Sequence, residues 1–195
     1  MLLSILAGMM IAIGGIVFLS VGGTTGALLF SMGLLTILTL KLELFTGKAG
    51  LFATKEIRIG KLIEIWCGNF LGTLAIAIGL LFTPRGLVLA EKASEIVAIR
   101  VGNGIFANFI YGIFCGMLMF MAVKTFIVAN GQPLYAMMPV AIFILCGFNH
   151  CIADMFYLHM GCMHISDYLV LIPTTIGNFI GCNIIPALLE YYSSS

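Results

Sequence analysis

Charge is what this sequence has least of. Only 9% of its 195 residues are Asp, Glu, Lys or Arg, where a soluble globular domain carries about 25%. That scarcity excludes an ordinary water-facing surface. There is no basic run, and the net charge is +1, so nucleic acid is not an expected partner. The cysteines (67, 115, 146, 151, 162 and 182) include no Cys-x-x-Cys pair. They sit in or beside apolar runs, where cysteine behaves as a small hydrophobe, so neither a disulfide nor a thiolate metal site is expected. No Asn-Pro-Ala tripeptide occurs, which argues against a water or glycerol pore built on paired breaks of that kind.

What is present is 62% hydrophobic residues in long uncharged runs: Met1 to Leu40, Ile65 to Thr83, Val101 to Val123, Thr125 to Ala153 and Tyr168 to Leu189. A bilayer-spanning helix needs roughly 20 apolar residues. The expectation is an all-α integral membrane protein with no room for a separate soluble domain. The first run starts at residue 2 without a basic n-region, so it reads as a spanning helix rather than a cleaved signal peptide.

Turn signals divide the chain into six expected spans: 2–21, 27–44, 62–82, 101–129, 134–157 and 167–189. Residues 87–102 mix Glu91, Lys92, Glu95 and Arg100 with apolar positions, the pattern of an amphipathic surface helix. Lys55, Arg58 and Lys61 lie between the second and third spans and Lys124 near the end of the fourth. The positive-inside rule then favours cytoplasmic N- and C-termini.

The spans fall into two groups of three. Glu43-Leu44-Phe45-Thr46-Gly47-Lys48 precedes Gly68-Asn69-Phe70-Leu71-Gly72, and Asn149-His150-Cys151-Ile152-Ala153-Asp154 precedes Gly177-Asn178-Phe179-Ile180-Gly181 at a similar spacing. An odd number of spans per half inverts one half against the other, as in many transporters with broken helices near the midplane. The expected organisation is a first repeat over 1–82, an amphipathic connector over 83–102 and a second repeat over 103–195, with the second and fifth helices interrupted.

These motifs, with Phe106-Ala107-Asn108, Pro139-Val140-Ala141-Ile142-Phe143 and Gly147-Phe148-Asn149-His150, resemble the formate/nitrite transporter family along the whole chain. The resemblance implies an aquaporin-like inverted repeat and five protomers in a ring. Each protomer has its own pore for small anions such as formate, nitrite or hydrosulfide. It places the central pore histidine at His150, the threonine of the interrupted second helix at Thr46 and the vestibule lysine at Lys92. It places hydrophobic constrictions at Phe30, Leu34, Leu44, Phe45 and Phe143. Asn69, Asn108 and Asn178 are read as helix-packing residues.

The residues support a pore independently of the family. A bare anion is expensive in an apolar medium, whereas helix breaks, a hydroxyl and an imidazole offer donors and a proton. An ionisable residue amid apolar membrane segments is by default a functional site; the bland alternative for His150 is packing against a neighbouring helix, and for Thr46 a bond to its own helix. No metal or other cofactor is expected. A membrane metal or redox protein using His150, Asp154, His159 and His164 is the reading from another class, beside a neutral-solute pore and a scaffold.

Three positions depart from the family pattern. Asn149 stands where many members carry glutamate. Asp154 and Lys48 stand where many carry asparagine. They occupy matching places in the two repeats, so a buried Lys48–Asp154 ion pair is expected.

Overall fold

The computed structural model describes residues 1–194, and every regular element among them is helical. Four helices are long and apolar enough to cross a membrane: α1 (Leu2–Val21), α5 (Ile59–Leu81), the long α6 (Pro84–Val128) and the helical stretch Ile165–Ser193, which comprises a 3-10 turn (Ile165–Val170) running into α9 (Leu171–Ser194). The second and fifth expected spans are divided. α2 (Gly23–Phe30) and α3 (Met32–Thr39) precede an extended stretch and the one-turn α4 (Phe45–Ala49). α7 (Pro133–Leu145) precedes a break and α8 (Cys151–Gly161). The membrane-embedded all-helical architecture with interrupted helices is therefore as the sequence implies.

Each break has a local cause. Lys41 takes φ 54° and Gly147 φ 71°, a left-handed turn no helix can continue through. Inside a bilayer the backbone groups freed by a break need protein partners. The asparagines of the two Gly-Asn-Phe motifs supply them. Asn69 Oδ1 accepts from Phe45 N at 2.9 Å, and its Nδ2 donates to Glu43 O and Ser4 O. Asn178 Oδ1 accepts from Cys151 N at 2.8 Å, and its Nδ2 donates to Asn149 O and Gly112 O. The first residue of each half-helix is thus capped from the following long helix.

The long helices approach equally closely in both halves. A Cβ on Gly72 would lie 2.0 Å from Ile5 O, and one on Gly181 would lie 2.1 Å from Ile113 O. Small residues at such crossings let membrane helices pack without a hydrophobic drive. The two sets of contacts repeat residue for residue: Ser4 with Gly112, Ile5 with Ile113, Asn69 with Asn178, Phe45 with Cys151.

One expected boundary moves. The amphipathic segment and the fourth span, written together as α6, meet at a kink at Gly104 (φ 74°, ψ 175°), two residues beyond the expected boundary at 102. Asn108 Nδ2 donates to the Arg100 carbonyl, four residues before the kink, at 2.7 Å.

Candidate functional site

The breaks bring Thr46 of α4 and His150, the residue capping α8, into contact. Thr46 Oγ1 and His150 Nε2 are 2.8 Å apart, and both side chains are 1% exposed. His150 Nδ1 accepts the Ala153 N–H at 3.2 Å. That bond occupies one ring nitrogen, so the hydrogen-bond network assigns the ring proton to Nε2. Nε2–H then donates to Thr46 Oγ1, and the threonine hydroxyl proton stays available for another acceptor. The Phe143 ring stacks on His150 with centroids 5.4 Å apart, and Phe30 meets Phe143 edge-on.

A cavity opens on each side of this pair. The first, about 340 Å³, is lined by His150, Asp154, Arg100 and Asn103 together with Phe30 and Phe143. The second, about 590 Å³, is lined by Thr46, Gly47, Thr54, Glu56 and Lys124. His150 belongs to one cavity and Thr46 to the other, so their hydrogen bond lies at the partition. The first cavity carries an aromatic wall and an ion pair, and the second is largely apolar with polar residues at its mouth.

The remaining expected residues fall in several places. Leu34 and Leu44 are buried and line neither of these cavities. Phe45 lines a separate apolar groove with Trp66 and Phe179. Asn108 accepts from Asn149 at 2.8 Å, so the break in α6 is tied to the break before α8. His159 pairs with Tyr168, and His164 takes part in capping the 3-10 turn.

One expectation needs correction. Asp154 does not pair with Lys48. Its Oδ1 accepts from Arg100 Nε at 3.2 Å, while Lys48 has no ion pair among the described residues. The reason is the Gly104 discontinuity, which ends the amphipathic part of α6 beside α8 and delivers Arg100 to the cavity. Lys92, expected in the vestibule, donates to Leu19 O at 2.8 Å, near the C-terminal end of α1. It is not among the residues lining the first cavity; Arg100 is the cation there. The sequence places Arg100 on the amphipathic surface helix and by itself gives it no role at the pore. The signal that could have found it is Gly102-Asn103-Gly104, a turn-forming run just beyond an arginine flanked by apolar residues.

Two cavities separated by a buried hydroxyl–imidazole pair, within a bundle of broken apolar helices, define a membrane pore of the channel and transporter class. The chain belongs to the formate/nitrite transporter family, whose model matches residues 1–192. It is similar to the formate channel FocA of Haemophilus influenzae, with 27% identity over 213 aligned positions, covering 86% of this chain and 72% of FocA. A solved pentameric formate channel with formate bound has the same fold: TM-score 0.81, 24% identity, 99% of this chain and 95% of the other covered. A second solved structure, an FNT family ion channel, matches with TM-score 0.81 and 19% identity over 98% and 88% of the two chains.

Proposed function

We propose that the chain conducts small monovalent anions of weak acids, formate foremost, through a pore within each protomer of a homopentamer. The observation that carries this reading is the Thr46–His150 hydrogen bond at the partition between two cavities. Membership of the family supports transport of an anion. Similarity to a pentameric channel with formate bound supports the assembly and the choice of formate. Glu56 and Lys124 line the same cavity, and the cations of the 55–61 loop and Lys124 favour the cytoplasm. The cytoplasmic assignment of that cavity and of the termini rests on this charge bias.

The passage has a physical constraint. An anion moving along the wall formed by Phe30 and Phe143 loses water to apolar rings, and bare charge in that setting is expensive. Crossing as the neutral acid removes most of the penalty. In this arrangement His150 Nε2–H and the Thr46 hydroxyl form one donor chain pointing towards the second cavity. Held by His150 Nε2–H, the Thr46 hydroxyl is the donor offered to the oxygens of the passing species; a second proton on His150 requires its bond from Ala153 to break. The test is formate uptake into proteoliposomes measured together with net charge movement, wild type against His150→Asn. Uptake accompanied by protons and no net current is expected, with His150→Asn altering that coupling. A formate current at neutral pH in the wild type would sink the neutral-acid step. A wild type that carries no small anion would sink the function.

A further inference from the structure

The first cavity holds a donor and an acceptor that nothing in the protein uses. Asp154 is 2% exposed, and its Oδ2 is buried with no hydrogen-bond partner among the described residues. Its Oδ1 is already taken by Arg100 Nε. Arg100 also donates through Nη1 to Gly147 O at 2.8 Å, which leaves Nη2 without a partner among the described residues. Leaving a buried carboxylate oxygen unmade is unfavourable, and native proteins rarely tolerate it without a reason. Both residues line the cavity that ends at His150.

We infer that Arg100 and Asp154 form a binding subsite for the protonated form of a small two-oxygen acid. Its carbonyl-type oxygen accepts from the guanidinium, and its O–H donates to Asp154 Oδ2. The argument is one of matching. A bare carboxylate or nitrite offers acceptors only, so it satisfies Arg100 and faces Oδ2 with like charge. The protonated acid offers one acceptor and one donor, the complement of what the pair leaves open. A proton entering from water with each anion leaves the charge of the cavity unchanged, because Arg100 and Asp154 already balance. Formic and nitrous acids share this chemistry, and hydrosulfide, with a single sulfur, does not. The inference rests on the anion-channel reading and adds the place where the acid is held before the Thr46–His150 partition.

The experiment reads the half-saturating concentration and the maximal rate of formate uptake in proteoliposomes. Arg100→Lys keeps the charge and loses the planar fork; the expected result is a half-saturating concentration about tenfold higher with the maximal rate within about twofold. Asp154→Asn turns the acceptor into a donor and suits the anion rather than the acid. Formate should then bind more tightly and pass about tenfold more slowly, a combination that a merely weakened fold does not produce. For any variant too slow to follow, the formate concentration giving half of the ligand-induced rise in melting temperature reads the same inequality. Wild-type uptake with an unchanged or raised half-saturating concentration in Asp154→Asn overturns the subsite alone. A wild type that takes up no formate removes the function beneath it, and the subsite with it.

Discussion

Phe45 N–H and Cys151 N–H are held in the same way, each by an asparagine on the following long helix, yet the side chains around them differ. In the first half, Leu44 precedes the half-helix, Glu43 reaches Lys61 and Ser4 near the surface, and Lys48 stays without an ion pair among the described residues. In the second, His150 occupies the place of Leu44, Asn149 is buried against Asn108, and Asp154 is paired with Arg100. The comparison separates two kinds of constraint. Backbone freed inside a bilayer has to be satisfied whatever the pore carries, so the capping asparagines and close-contact glycines recur. The charged positions answer to the cavity they face, and only the break of the second half sets an ion pair in one.

The largest effect expected from this asymmetry lies in the two acidic and basic positions that sequence alone would pair. Asp154→Ala strands Arg100, whose side chain is 13% exposed, and breaking a buried pair from one side destabilises by about 3–5 kcal/mol. Lys48→Ala removes no ion pair and should stay within about 0.5 kcal/mol, the range of ordinary surface changes. Unfolding in mixed micelles compares them. Equal losses would restore the Lys48–Asp154 pairing.

A smaller effect tests the part that repeats. Asn69→Ala and Asn178→Ala each remove three hydrogen bonds and orphan backbone groups at a break. An orphaned buried group costs about 1–3 kcal/mol, while bonds between membrane helices average only about 0.6 kcal/mol. A loss of about 2–3 kcal/mol is expected for each, equal within about 1 kcal/mol. A marked inequality in the same micelles would show that the two caps are not equivalent.

The repeat was legible because both halves must solve one backbone problem with one residue type at one spacing. His150 and Thr46 were legible because a polar group in an apolar run is costly wherever it sits. The ion pair was not. Arg100 and Asp154 lie on different helices, and their meeting depends on Gly104 adopting φ 74°, a single backbone choice with no periodic signal. Symmetry pointed to Lys48 as the partner, but symmetry governs the backbone and does not extend to the charges. Lys92 is a different matter: its position along the chain matches the family, while the direction of a long flexible side chain is set by the acceptor it finds, here Leu19 O.

Lys92 also supplies the smallest effect, and it sharpens the contrast between halves. Its ammonium donates to Leu19 O near the end of α1, a favourable place for a cation because the last carbonyls of a helix carry partial negative charge. The stretch of α6 that repeats α1 ends at Val128, and among the described residues no lysine donates to its last carbonyls. Lys92→Met keeps a long apolar stem and removes the charge. Stability should fall by less than about 1 kcal/mol, since helix-end charges contribute about 0.3–1 kcal/mol at exposed sites. Formate uptake at saturation should stay within about twofold, because Arg100 rather than Lys92 lines the first cavity. If uptake at low formate collapses while stability holds, Lys92 leaves Leu19 to meet the anion, and the vestibule role implied by the family returns to it. If both stay nearly unchanged, the cation that matters to the pore is the one brought in by the break at Gly104.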